Sequence, residues 1–289
     1  MKLINYSLLL ALLFTQEITL NAKELNPTEA AQQSIQENLN MPQPGSDGRI
    51  QTFNKMGAMY PIPDAVFKPF IEICQMPGSK ILDIGATYGL TCEQALKAGC
   101  KDYTAIDLDE RHLKILAKNV ADMNPAYLNH LKLISGSYPA EINLPINNYD
   151  AILMARILQF MAPQEISASL AKAYDSLKPG GSIYAVLLTP YVKGYASFIP
   201  EFQKRLDAGD EFPGFVKNKI DYTDKTIPLS TRHSNLTGHI CFFDTITAQR
   251  IFEKAGFVVE KSEYSPLAYK SEAWQLDGRE YVILIAKKP

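Results

Sequence analysis

Two acids and two glycines raise the first chemical question. Asp83, Gly85 and Gly89 fall in the run Ile81-Leu82-Asp83-Ile84-Gly85-Ala86-Thr87-Tyr88-Gly89-Leu90-Thr91, and Asp107 stands further on. Glycine leaves main chain bare, so a ligand can approach without a side chain in its way. A helix starting directly after such a turn offers free N–H groups to an anion, worth roughly 0.3–1 kcal/mol per charge when exposed. Thr91 and Gln94 stand at capping-box spacing and place that start near Thr91. An acid ending the next strand can accept hydrogen bonds from both hydroxyls of a ribose. Each such bond to an ionised carboxylate is worth about 1.5–3 kcal/mol, which makes Asp107 the candidate nucleoside anchor.

The elements that must position these residues are legible as a rhythm. Asp64 can cap a helix through Val66, Phe67, Phe70, Ile71 and Ile73, ended by Pro77-Gly78. A strand at Lys80–Gly85 enters the glycine turn, and a helix runs from Cys92 to Ala98 before Gly99. Tyr103–Asp107, Leu131–Ser135 and Tyr149–Met154 read as strands, with a helix over Glu110–Asp122. A helix over Glu165–Leu177 ends in the turn Lys178-Pro179-Gly180-Gly181, and the apolar run Ser182–Thr189 reads as a strand buried on both faces. Residues 190–243 break the rhythm and are rich in Tyr, Phe, Pro and Lys. Beyond them come a helix at Thr245–Ala255 and strands at Phe257–Glu260 and Tyr281–Ala286, the last two read as a long hairpin. Alternating strands and helices predict an α/β fold on a mainly parallel sheet.

Composition sets outer bounds. The chain has 289 residues, 46% hydrophobic and 21% charged, the profile of an ordinary globular protein. Its 29 Lys+Arg against 31 Asp+Glu argue against a nucleic-acid partner. Cys74, Cys92, Cys100 and Cys241 show no C-x-x-C spacing, so no metal site and no disulfide scaffold is expected. Lys2, the apolar run Leu8–Phe14 and Ala22 have the pattern of a leader, so residues 1–22 are expected to be a signal peptide. That predicts a periplasmic or secreted mature chain without a membrane span; a packed N-terminal helix in a cytoplasmic protein is the alternative. Residues 23–60 read as a short helix, starting at Asn26-Pro27-Thr28-Glu29, and a linker or cap. Residues 61–289 read as the main domain.

The ordered set of motifs resembles the class I S-adenosylmethionine-dependent methyltransferases. Asp83–Gly89 resembles that family's first motif, and Ala105-Ile106-Asp107-Leu108-Asp109 its ribose-binding strand end. Tyr149–Leu153 with Ala155–Phe160 resembles the fourth strand and the segment after it, and Leu177–Gly181 the turn before the fifth. The resemblance covers roughly residues 60–190 and 240–289. It implies a doubly wound, mainly parallel seven-stranded sheet closed by a C-terminal antiparallel hairpin. It also implies S-adenosyl-L-methionine as cofactor and methyl transfer to a small molecule or protein side chain. On it, Asp83, Gly85, Ala86, Thr87, Gly89, Asp107, Leu108, Ser137, Tyr138 and Arg156 are the expected cofactor-binding residues. Thr87 departs from the family, which usually has glycine there, and Ser137 stands where an acid contacting adenine is common.

The substrate side is expected in residues 50–64 and in an insertion at 190–243. Tyr60, Tyr191, Tyr195 and Tyr222 could wall an aromatic pocket or simply pack the insertion. His233, His239 and Tyr60 are weak candidates for a proton-moving role, because transfer from a sulfonium needs alignment and water exclusion more than a base. Two other readings share the glycine turn. A dinucleotide-dependent oxidoreductase of the NAD type requires a parallel sixth strand in place of the hairpin. A non-catalytic nucleoside-binding or interaction protein would keep the fold without the chemistry.

Overall fold

The computed structural model describes residues 22–45, 48–60, 65–226, 238–269, 271–272 and 274–289. The leader expectation therefore lies outside the described residues, as do Asp64 and His233. Eight strands form one sheet. They are β1 (Lys23–Leu25), β2 (Ile81–Ile84), β3 (Tyr103–Asp107), β4 (Leu131–Ser135), β5 (Tyr149–Ala155), β6 (Leu177–Leu188), β7 (Val258–Ser265) and β8 (Tyr281–Lys287). Their order is β1-β4-β3-β2-β5-β6-β8-β7. From β4 to β6 the strands are parallel, with Ile84 opposite Ile106 and Leu82 opposite Ile152. Every residue of β2 and β3 is buried, Asp83 and Asp107 included. β8 lies antiparallel between β6 and β7. That arrangement excludes the parallel sixth strand of the oxidoreductase reading.

The helices are α1 (Pro27–Gln36), α2 (Phe67–Cys74), α3 (Leu90–Lys97), α4 (Glu110–Met123), α5 (Pro163–Ser176), α6 (Ile199–Asp207) and α7 (Thr245–Lys254). Two apolar cores flank the sheet, one under α2–α4 and one under α5 and α7. No helix among the described residues is long and apolar enough to cross a membrane.

Three expectations change. The seven strands are joined by an eighth, β1, which pairs antiparallel with β4 from Lys23↔Ser135 to Leu25↔Leu133. Three residues between polar neighbours carry no strand signal of their own; the open edge of β4 organises them. The helix after the glycine turn begins at Leu90, and its cap is Gly89 at φ 86°, without a side-chain bond from Thr91. The turn at Lys178–Gly181 is an excursion within one pairing, since Tyr149 faces Leu177 and Ala151 faces Ser182. Within residues 23–60 the short helix stands where Asn26-Pro27-Thr28-Glu29 places it. Asn26 accepts from the Thr28 and Glu29 N–H groups and starts α1, and Lys114 of α4 bridges to Glu37 at 2.7 Å.

Candidate active site

The sheet order reverses direction between β2 and β5, the position where open α/β sheets leave a crevice beyond their strand ends. A cavity of about 420 Å³ occupies it. Its lining joins two groups of residues. At one end are Asp83, Gly85, Ala86, Thr87, Asp107, Leu108, Ser137 and Tyr138; at the other are Arg49, Tyr60, Arg156, Tyr269, Trp274 and Tyr281.

The turn end is built from main chain. The Gly85 and Ala86 N–H groups both donate to the Ile106 carbonyl, which folds the turn back over β3. Gly85 sits at φ 83°, and a Cβ there would lie 2.4 Å from Ile157 Cγ2. Gly89 differs from its expectation: it does not line the cavity. A Cβ on Gly89 would strike Leu116 of α4 at 2.4 Å, so this glycine serves helix packing and its own left-handed cap. Thr87 holds φ 49°, a conformation that is costly for a β-branched residue. Its N–H donates to Asp107 Oδ2 at 2.9 Å, and its hydroxyl bonds the Gly85 carbonyl at 3.2 Å.

Asp107 is buried and already held by three donors. Oδ2 takes the Thr87 N–H, while Oδ1 takes the Asp109 N–H and His112 Nδ1, each at 2.9 Å. The tautomer of His112 is set by its other nitrogen: the Phe53 N–H donates to Nε2 at 3.0 Å, so Nδ1 carries the hydrogen. A carboxylate offers about four acceptor positions, so one remains, on Oδ2. This corrects the picture of Asp107 holding two ribose hydroxyls by itself. Sequence reasoning does not single out His112. Its only signal there is its place on the first turn of α4, five residues past the acid.

Asp83 lies deeper. Burial pushes its carboxyl up to about 7, opposed by a 2.8 Å bond from the Tyr103 hydroxyl. Leu108 is an exposed apolar side chain at the rim. Ser137 spends its N–H on Glu141 at 2.8 Å, and Tyr138 spends its hydroxyl on the Ser169 carbonyl at 2.8 Å, leaving its ring as a wall.

The far end is built from side chains. The Arg156 guanidinium lies over Tyr60 at 4.2 Å and over Tyr281 at 4.7 Å. Tyr60 stacks on Tyr269 at 5.0 Å and accepts from the Tyr281 hydroxyl at 3.1 Å. Arg49 lies over Trp274 at 5.3 Å. Burial pushes the Tyr269 and Tyr281 phenols up, so they stay protonated and cannot act as bases near neutrality. Glu280, fully buried, accepts four main-chain N–H groups, from Leu267, Leu276, Asp277 and Gly278, and so fixes the loop that carries Tyr269 and Trp274.

The other candidates divide. His239 lines the cavity, but its Nε2 donates to the Phe160 carbonyl at 3.0 Å. Tyr195 also lines the cavity, whereas Tyr191 and Tyr222 pack the insertion, against Phe202 and Phe198. The four cysteines are buried and free. Among the described residues no three His, Cys, Asp or Glu side chains form a metal cluster.

Comparison with known proteins agrees with this geometry. Residues 81–181 match the family described as "Methyltransferase domain". A carboxy-S-adenosyl-L-methionine synthase of Shewanella loihica is 26% identical over 117 residues, 39% of this chain and 45% of that protein. The chain spans less than half the length of the curated relatives it matches. Among solved structures, a SAM-dependent methyltransferase of Methanosarcina mazei superposes with a TM-score of 0.53 at 17% identity, over 76% of this chain and 97% of that one. Magnesium protoporphyrin IX methyltransferase of Synechocystis, solved with bound SAH, gives 0.51 at 13% identity, over 78% and 81%. Residues 81–181 thus match a methyltransferase domain, and the sheet with its antiparallel β8 has the fold of solved SAM-dependent methyltransferases.

Proposed function

We propose that the chain binds S-adenosylmethionine at the turn end of the cavity and transfers its methyl group to a small molecule held at the aromatic end. The observation that carries this is the continuity of the cavity between Gly85–Thr87 and the Tyr60, Arg156 and Tyr281 cluster. Its volume, about 420 Å³, falls in the roughly 300–1,000 Å³ range of small-molecule sites.

The residues present fit the cofactor. Asp107 Oδ2 has one acceptor position for a ribose hydroxyl, and Leu108 and Tyr138 offer apolar surface to a base. Leu90 and Thr91 place the first turn of α3, with its free N–H groups, on the cavity wall, where a carboxylate is favoured. Bound S-adenosylmethionine supplies an already activated methyl on a sulfonium, so the chain's own task is alignment and exclusion of water. Tyr60, Tyr269, Trp274 and Tyr281 do the second, and the rigid turn does the first.

Calorimetric titration of the full chain with S-adenosylmethionine and S-adenosylhomocysteine tests the reading. Binding of both, with no response to NADH, is expected; heat for neither rules it out.

A further inference from the structure

A small hairpin walls the cavity between its two ends. Ile50–Gln51 and Ala58–Met59 pair antiparallel, and the turn joining them is knitted from inside. The Met56 N–H donates to Asn54 Oδ1 at 3.0 Å and the Gly57 N–H to Thr52 Oγ1 at 3.2 Å. Thr52, Asn54, Met56 and Met59 line the cavity, and the hairpin leads directly into Tyr60. Among the described residues, two hydrogen bonds dock it on the cofactor side. The Tyr88 hydroxyl donates to the Gln51 carbonyl at 2.9 Å, and the Phe53 N–H donates to His112 Nε2 at 3.0 Å. The Phe53 ring meets Tyr88 edge on and stacks on the His112 ring.

His112 is 1% exposed, and its two nitrogens serve different partners. Nδ1–H donates to Asp107 Oδ1, on the carboxylate whose other oxygen keeps a position for a ribose hydroxyl. Nε2 accepts from the hairpin, and Asp109 Oδ2 stands 3.9 Å from the same atom. Arg111 donates to both Asp109 oxygens and lies over the Phe53 ring at 5.1 Å. The Tyr88 phenol, 5.0 Å from the His112 ring, is pushed up by burial and stays neutral. Nε2 therefore has two roles within reach. Unprotonated, it accepts from Phe53; protonated, it is a donor, conflicts with the Phe53 N–H and has Asp109 as an acceptor. Histidine is the side chain whose charge ordinarily changes between about pH 5 and 8.

We infer that His112 is a positioning residue whose unprotonated Nε2 latches the hairpin Ile50–Met59 over the cavity, so that the site closes at neutral pH and loosens when His112 takes up a proton. This rests on the methyl-transfer reading and deepens it, by naming what regulates the site. On protonation Nε2–H turns to Asp109, and the Phe53 N–H loses its acceptor; the Tyr88 bond to Gln51 stays. The imidazolium also draws on the Asp107 carboxylate, so a ribose hydroxyl meets a weaker acceptor at Oδ2. The knitted turn moves as one piece and takes Met56 and Met59 with it. Water then enters a site whose chemistry depends on excluding it. Cofactor and hairpin share His112 and Asp107, so each favours the binding of the other.

The test is amide hydrogen exchange of the full chain without ligand at about pH 7.5 and about pH 5.5, corrected for intrinsic rates, beside calorimetric titration with S-adenosylhomocysteine at both. In wild type the Phe53 amide should lose about tenfold or more of its protection at the lower pH, and S-adenosylhomocysteine affinity should fall roughly threefold to tenfold. His112→Gln places an amide oxygen near the Nε2 position, where it accepts without taking up a proton. That variant should keep Phe53 protected at both pH values. His112→Asn reaches only as far as Nδ1, so it should leave Phe53 unprotected at both. Asp83 titrates in the same range but is present in all three chains, so it does not separate them. A merely structural role for His112 would lower protection equally at both pH values in both variants. Phe53 protection that is independent of pH in wild type overturns the inference, as does a His112→Gln chain that follows wild type. No S-adenosylhomocysteine binding at either pH strikes the methyl-transfer reading, while the ligand-free exchange of Phe53 still decides the latch.

Discussion

At the turn end of the cavity the positioning groups are main chain: Gly85, Ala86 and Thr87 are tied by N–H bonds to Ile106 and Asp107. At the aromatic end they are side chains from five separate stretches of sequence: Arg49, Tyr60, Arg156, Tyr269 with Trp274, and Tyr281, with Tyr60 stacked on Tyr269 and edge to face with Tyr281. The difference teaches where each end tolerates change. Main-chain geometry fails at once when a φ angle or a Cβ is wrong. A cluster of aromatic rings loses contacts in part and can repack.

The largest effect should come from Gly85→Ala. The new Cβ meets Ile157 at 2.4 Å and the residue must hold φ 83°. Together these cost about 2–4 kcal/mol of stability in urea titration, and S-adenosylmethionine affinity should fall by more than about tenfold in calorimetry as the turn is displaced. Adding Ile157→Ala should recover only the steric share. Complete recovery would mean that the clash alone, and not the turn's handedness, holds the main chain in place.

Next comes the Asp107 pair. Asp107→Ala removes the remaining ribose acceptor and frees three donors, so donor affinity should fall by more than about tenfold. His112→Ala leaves Asp107 in place but unpairs the Phe53 N–H and one carboxylate bond. It should cost about 1–3 kcal/mol of stability in urea titration, with a smaller loss of affinity. Equal affinity losses in the two variants would show that Asp107 only braces the turn and touches no ligand.

Arg156→Met separates the two ends most directly. It keeps the stem and removes the charge that lies over Tyr60 and Tyr281. Transfer to the acceptor should drop about tenfold or more through KM, given the roughly 0.5–2 kcal/mol of each cation–π contact, with S-adenosylmethionine affinity unchanged within twofold. A matching loss of cofactor affinity would place Arg156 at the turn end instead.

The legibility of the two ends in the sequence divides the same way. β2, the turn, α3 and β3 follow one another along the chain and both strands are fully buried, so period, glycine and acid stand close together and Asp83, Gly85 and Asp107 can be picked out together. The aromatic end has no such signature. Tyr60 can be suspected, but Tyr269, Trp274 and Tyr281 meet it only because Glu280 ties down the loop before β8, and nothing local announces that. Gly89 misleads for a related reason. A glycine in a turn looks the same whether it yields to a ligand or to Leu116 of a helix folded against it. β1 is invisible because its stability is borrowed from the edge of β4.

Asp83 gives a pH signature that belongs to the turn end alone. Its carboxyl is raised by burial from 3.8 to about 7, so between those values the folded chain binds more protons than the unfolded one. The stabilising contribution is fully present below 3.8 and is lost as pH rises through about 7. Thermal unfolding across that window should show wild type losing Tm relative to Asp83→Asn, which is neutral throughout and still accepts from Tyr103. Parallel curves would mean that Asp83 stays ionised in the folded chain.

Thr87→Gly should have the smallest effect and is the most pointed test of the turn. Glycine adopts φ 49° freely, so the substitution relieves the strain of a β-branched residue. It also loses the hydroxyl bond to the Gly85 carbonyl and adds flexibility to the unfolded chain, each worth about 1 kcal/mol in the opposite direction. The N–H bond to Asp107 belongs to the main chain and survives. Stability should therefore change by less than about 1 kcal/mol, with cofactor affinity within about threefold. Thr87→Ala, which keeps the strain and loses the hydroxyl, should be the less stable of the two. An affinity gain above tenfold in the glycine variant alone would show that the threonine side chain obstructs the ligand's path, and the turn end would then owe part of its character to a side chain after all.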